Sequence, residues 1–208
     1  MASLERRHGG DRAAAGLVDR CARARLVSQE TFSQPAPPPG SGSDHLVPPR
    51  SNRKRYAIVG AGMRARMYVD AIIGGHADVA HLVALLDTNS ERIAAHSEWI
   101  VERGGEAPLS RDAADLHDTI VHHGIDRVII TSPDWSHAVT ALDAGADVIV
   151  EKPLTIDVPG AASIVAAIER SGRSVTVAFN YRYSPRNGAL RELIASGAIG
   201  DVTSVHFE

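Results

Sequence analysis

Lys152 is the residue of this 208-residue chain whose surroundings point most directly to chemistry. The run Val148-Ile149-Val150-Glu151-Lys152-Pro153 carries an apolar, β-prone segment into a carboxylate, an ammonium and a proline. Pro153 has no N–H to give to a sheet, so a strand must stop before it and present Lys152 at its carboxyl end. An ammonium held there can hydrogen-bond a substrate hydroxyl and stabilise the alkoxide that develops as hydride leaves. A structural ion pair between Lys152 and Glu151 is the other reading of the same residues. The chain holds two lysines, and Lys54 falls in what reads as an unfolded arm, so Lys152 stands alone in the folded part. That isolation favours the chemical role.

The second candidate is Gly60-Ala61-Gly62-Met63-Arg64-Ala65, a G-x-G-x-x-A sequence directly after an apolar run. Gly60 permits a tight turn, Gly62 lets a pyrophosphate approach the backbone, and Ala65 lets the following helix pack close to its strand. The amides at the helix start then face an anion without help from a basic side chain. An ordinary glycine-rich turn would look similar, but this one sits between a strand and a helix. Asp87 follows about 25 residues beyond Gly62, near the roughly 20-residue spacing at which an acid accepts from the adenosine ribose. Its charge repels a 2′-phosphate and so favours NAD over NADP, while Arg92, one turn on, leaves NADP open. Capping of a helix that begins at Ser90 would equally suit Asp87 or Asn89.

The third stretch is Ser132-Pro133-Asp134-Trp135-Ser136-His137. If it follows a parallel strand it borders the ligand crevice, which makes His137 a candidate contact. A first-turn surface histidine behind a Ser132 or Asp134 cap is the competing account. His117, His122 and His123 read as exposed or capping.

These residues need a scaffold, and the hydrophobic pattern supplies one. Apolar runs at 56–59, 81–86, 127–131, 147–150 and 174–180 read as strands. Helical patterns cover 64–73, 90–103, 112–123, 136–144 and 156–171. The runs lack period-2 alternation, as expected of strands covered on both faces, so the expected class is α/β with a doubly wound parallel sheet. Beyond it, 184–196 reads as a helix, 197–201 as a turn and 202–208 as a strand at the very end. An unpartnered terminal strand exposes its backbone groups, so the expected architecture is a Rossmann sheet followed by only the beginning of a C-terminal α/β domain. The expected division is 1–54, 55–180 and 181–208.

Composition narrows the function further. Hydrophobic residues make up 44% and charged residues 23%, which is globular and excludes a wholly disordered chain. No apolar run approaches the roughly 20 residues of a membrane span. One cysteine and no zinc-ligand spacing suit a reducing, cytoplasmic setting without a metal. Residues 1–54 carry nine basic against five acidic side chains, and the remainder is acidic overall, so a nucleic-acid groove on the folded part is not expected. Six of the 11 prolines fall between Pro35 and Pro49 among Gly and Ser, which reads as linker. An Ala/Arg-rich stretch at 11–27 is a candidate fraying helix. Acids in the first 19 residues weigh against a presequence, and an upstream start codon is the favoured account of the arm.

In order and spacing, Gly60 to Ala65, Ser132 to His137 and Glu151-Lys152-Pro153 resemble the Gfo/Idh/MocA family, over about residues 55 to 208. Asn180-Tyr181-Arg182-Tyr183-Ser184-Pro185 also resembles the segment after its sixth Rossmann strand. The resemblance implies an N-terminal Rossmann domain paired with an α/β domain that carries substrate and oligomer contacts. It implies NAD(P)-dependent oxidation or reduction of sugars, cyclitols and related hydroxy compounds. It further implies cofactor contacts at Gly60, Gly62, Met63, Arg64, Asp87, Ser132, Pro133, His137, Glu151 and Asn180, with Lys152 catalytic and touching the nicotinamide ribose. The family's further acid/base pair would lie beyond Glu208, and because the second domain carries the oligomer contacts, a homo-oligomer is expected only where that domain is complete. A non-catalytic dinucleotide-binding module and an NAD-dependent glycosidase remain as alternatives.

Overall fold

Residues 53–206 are described by the computed structural model of the chain. Their apolar runs become β1 (Lys54–Val59), β2 (Ala80–Leu86), β3 (Leu109–Arg111), β4 (Arg127–Ile130), β5 (Asp147–Glu151) and β6 (Val175–Ala178). One six-stranded sheet holds them in the order β3-β2-β1-β4-β5-β6. Every neighbouring pair from β3 to β5 is parallel. Between the strands lie α1 (Ala65–Ile73), α2 (Ser90–Glu102), α3 (Leu116–His123), α4 (Ser136–Asp143) and α5 (Val158–Ser171).

Successive strand residues point to opposite faces, and both faces are covered. Ile58 packs with Val69 and Ile72 of α1 and with Ile93 and Ile100 of α2. Its neighbours Ala57 and Val59 join Ile120 of α3, Leu142 of α4 and Ile164 of α5 on the other side. The continuous apolar composition of the strands is thus explained, each buried Ile or Leu contributing about 1.5–3 kcal/mol. Helix starts are set locally. The Asn89 side chain accepts from the amides of Glu91 and Arg92 to open α2, and Asp157 accepts from Gly160 N to open α5.

Several expectations need correction. β1 begins at Lys54, whose amide donates to Val79 O at 2.8 Å, so this lysine is part of the sheet and Lys152 is not the only lysine of the folded part. Its ammonium lies 3.8 Å from the Asp126 carboxylate. β3 was not expected, because Leu-Ser-Arg carries no apolar run; its pairing with Ala84, Leu85 and Leu86 of β2 defines it. The helix expected over 112–123 divides into a 3₁₀ turn (Ala113–Asp115) and α3, with Asp112 accepting from Ala114 N.

The chain divides at Val177/Ala178 into two units. In the second, a 3₁₀ turn (Asn180–Tyr183) precedes α6 (Pro185–Ala195), near the expected helix. α6 buries none of its residues, and Leu190, Leu193 and Ile194 are exposed. Residues 202–206 form no strand, contrary to expectation, since a strand exists only by pairing and no described segment pairs with them. The expectations for residues 1–52 and 207–208 lie outside the described residues. Among the described residues, no helix is long and apolar enough to cross a membrane. None of them forms a His, Cys, Asp and Glu group that could hold a metal ion.

Candidate functional site

In this sheet order β1 is flanked by β2 and β4, whose chain connections leave in opposite directions, so a crevice opens at the carboxyl ends of β1 and β4. The turn after β1 and the loop after β4 are clamped together there. Gly60 has φ +93°, and a Cβ on it would lie 2.7 Å from Ser132 N, so no other residue fits without displacing backbone. Thr131 N donates to Val59 O at 2.9 Å, and the Thr131 hydroxyl donates to Gly60 O.

From Gly60 the chain passes through Ala61, whose amide donates to Asp87 Oδ2 at 2.7 Å. Asn89 N donates to Asp87 Oδ1 at 2.8 Å, and the Arg92 guanidinium lies 4.0 Å from the same oxygen. Asp87 is buried beside the glycine turn, and Asn89, not Asp87, caps α2. Each carboxylate oxygen holds one backbone amide and keeps further accepting capacity. Gly62 faces open space, with no atom within 4 Å of where a Cβ would be. α1 starts at Ala65 without a side-chain cap. Gly62 O accepts from Ala65 N at 3.1 Å and lies 3.2 Å from His96 Nε2 of α2. His96 belongs to no sequence motif, although the spacing Ile93, His96, Ile100 marks one buried helix face.

At the exit of β5 the Glu151 carboxylate faces α1. It lies 2.6 Å from Arg64 Nε and accepts from the Tyr68 hydroxyl at 2.8 Å. Burial first, and then the Glu151 bond and charge, push the Tyr68 hydroxyl well above its ordinary range. The ion pair considered for Glu151 and Lys152 is therefore made with Arg64 instead. Lys152 is exposed and makes no hydrogen bond or ion pair among the described residues. The Lys152–Pro153 peptide is cis.

In the loop after β4, Ser132 Oγ and His137 Nδ1 are 2.8 Å apart. Asp134 accepts from Ser136 N at 2.8 Å, and the Ser136 bonds hold its carboxyl below the usual range. Pro133 is exposed at the turn. Gly60, Gly62, Met63, Arg64, Asp87, Ser132, Pro133, His137, Glu151 and Lys152 therefore all lie at the carboxyl edge of one sheet. Asn180 belongs to the second unit, in its 3₁₀ turn.

Backbone amides at an uncapped helix start, an open glycine, a buried carboxylate at the end of β2 and an ammonium without a partner among the described residues suit the diphosphate and ribose of a dinucleotide. Comparison with known proteins agrees with that chemistry. The chain is 30% identical over 156 residues to the inositol 2-dehydrogenase of Corynebacterium glutamicum, covering 73% of this chain and 44% of the relative. It is 26% identical over 212 residues to the alpha-N-acetylgalactosaminidase of Shewanella oneidensis, covering 97% and 45%. The fold also matches the scyllo-inositol dehydrogenase of Lactobacillus casei, solved with NAD(H) and scyllo-inositol, with a TM-score of 0.61 at 24% identity over 73% of this chain and 43% of that one. The chain spans less than half the length of these relatives. A profile described as "Oxidoreductase family, NAD-binding Rossmann fold" matches residues 54–179, and on that match the chain belongs to this family, Gfo/Idh/MocA.

Proposed function

We propose that this chain binds NAD(H) across the β1–β4 crevice, and that Lys152 serves hydride transfer at a CH–OH group of a sugar, cyclitol or related hydroxy compound. The observation that carries the reading is the Gly60 turn packed on Ser132, open at Gly62 and tied to Asp87, on the same sheet edge as the exposed Lys152. A bound nicotinamide supplies the hydride acceptor. The chain's own residues do the rest. Amides at Gly62 and Met63 bind phosphate oxygens, and Asp87 accepts from ribose hydroxyls through its remaining lone pairs. The Lys152 ammonium donates to the substrate oxygen and stabilises the negative charge that grows on it. Ser132, Pro133 and His137 line the nicotinamide side, and Arg64 with Glu151 holds the wall between the phosphate turn and the lysine. Asn180 is a further cofactor contact carried by the family resemblance alone. The inositol 2-dehydrogenase of Corynebacterium glutamicum and the D-apiose dehydrogenase of Paraburkholderia graminis, at 30% and 33% identity, support a polyol or sugar substrate. A cytoplasmic location fits such a substrate.

The alignment with the galactosaminidase favours a second reading, in which the same groups serve glycoside cleavage. Fluorescence titration with NADH and NADPH tests the common core. NADH is expected to bind about 10-fold more tightly, and Asp87→Ala to abolish that preference, since a 2′-phosphate meets the Asp87 charge. Equal affinities in the parent chain would overturn the assignment of Asp87, and no binding of either would overturn the proposal. Product analysis with free polyols against aryl glycosides then separates the two reactions.

A further inference from the structure

His96 occupies a core position of α2, between Ile93 and Ile100, and is 5% exposed. Burying an imidazole there costs free energy that a leucine would not incur, unless the ring's polar atoms are used. One of them is. Nε2 lies 3.2 Å from Gly62 O, while Nδ1 is buried with no hydrogen-bond partner among the described residues. A carbonyl oxygen only accepts, so Nε2 carries the hydrogen of this contact. The single bond made by this buried ring therefore ends on the second glycine of the fingerprint turn.

The Gly62 carbonyl receives two hydrogen bonds, from Ala65 N at 3.1 Å and from His96. In a planar trans peptide the carbonyl and the following N–H point in opposite directions. Holding Gly62 O toward α2 thus turns the Met63 N–H away from α2. Gly62 itself is open on its Cβ side, so this part of the turn has no packed side chain to fix its orientation.

We propose that His96 is a positioning residue for dinucleotide binding. Its Nε2–H holds the Gly62–Met63 peptide so that the Met63 amide is already aimed at a pyrophosphate oxygen before the ligand arrives. This deepens the NAD(H)-binding reading and rests on it. The gain is preorganisation: a fixed donor spends no ordering entropy on binding, whereas a peptide free to rotate does.

The test compares ligands with and without a pyrophosphate on the 208-residue chain. Calorimetric titration with ADP-ribose and with adenosine is run on the parent, His96→Leu, His96→Gln and His96→Asn. Gln places its amide nitrogen near Nε2 and can still donate to Gly62 O, whereas Asn is too short. His96→Leu and His96→Asn are expected to weaken ADP-ribose binding about 10-fold, or about 1.4 kcal/mol, with adenosine affected less than about twofold. His96→Gln should return ADP-ribose affinity to within about threefold of the parent. Thermal melting of the same samples should show His96→Leu no less stable than the parent. Should His96→Leu fail to fold, the Asn and Gln pair carries the comparison. Equal ADP-ribose affinity across the set, or parallel losses for both ligands that track stability, would overturn the positioning role alone. A parent chain that binds neither ADP-ribose nor NADH would instead remove the reading on which it rests.

Discussion

The two ends of the candidate site are built in opposite ways. At the fingerprint end the polar groups are already committed: Asp87 holds the amides of Ala61 and Asn89, and Gly62 O holds Ala65 and His96. At the β5 exit, Lys152 is exposed and has no partner among the described residues. Glu151 beside it is bound to Arg64 and Tyr68 and is turned toward the turn. A rigid end suits a diphosphate and an adenosine ribose, which undergo no bond change in hydride transfer. An ammonium without a partner suits charge that appears only as a reaction proceeds, because a donor already paired would have to give up that pair first.

The contrast is broken most severely at Gly60. Gly60→Val places a branched side chain at φ +93° and against Ser132 N, so a loss of about 2–4 kcal/mol of stability is expected, together with NADH binding. Urea denaturation followed by NADH titration checks it; a parent-like midpoint would mean that the β1–α1 turn and the β4–α4 loop are not locked together. Lys152→Ala sharpens the contrast from the other side. NADH affinity of the chain should change by less than about fivefold, because a single ribose contact is the most that binding loses, while turnover of a polyol by an enzyme form carrying this site should fall about 100-fold. A large loss of NADH affinity would make Lys152 part of the binding end instead.

The smallest effect concerns the wall between the two ends. Tyr68→Phe removes one bond to the Glu151 carboxylate, expected to cost about 1 kcal/mol. Because the folded state raises the Tyr68 hydroxyl above its unfolded value, it keeps its proton more tightly when folded. This contribution is complete below about pH 10 and is lost as pH rises beyond it. Stability of the parent minus that of Tyr68→Phe, measured by urea denaturation at pH 8 and pH 11, should therefore shrink at the higher pH. A constant difference would mean that the hydroxyl bond to Glu151 does not form in solution.

Much of the scaffold was readable because its signals are local. Runs such as Val128-Ile129-Ile130 specify strands buried on both faces, and the turn chemistry of Gly60 and the Asn89 cap is written in single residues. What escaped depended on partners distant in the chain. β3 is three residues of mixed character that become a strand only beside β2. Lys54 reads as the tail of a basic arm until its amide meets Val79 O. Residues 202–206 carry strand-like composition and form no strand, for want of a partner among the described residues. The helix content of α6 is legible in its sequence, yet its leucines and isoleucine stay exposed, since composition makes a helix while burial needs a second surface.

Sequence alone determined the alternation of the five strands other than β3 with the helices that cover them, the glycine turn, the acid at Asp87 and the lysine before Pro153. These are properties of residues within a few positions of one another, or of a spacing that any βαβ unit of this length imposes. Tertiary structure alone decided that Glu151 serves Arg64 and Tyr68 rather than Lys152, that Asp87 is tied to Ala61, and that a histidine on the buried face of α2 ends on Gly62 O. Hydrogen bonds act only over about 3 Å. Which groups come that close across 26, 34 or 87 positions of sequence is fixed by how the sheet and its helices pack, and no local pattern encodes it.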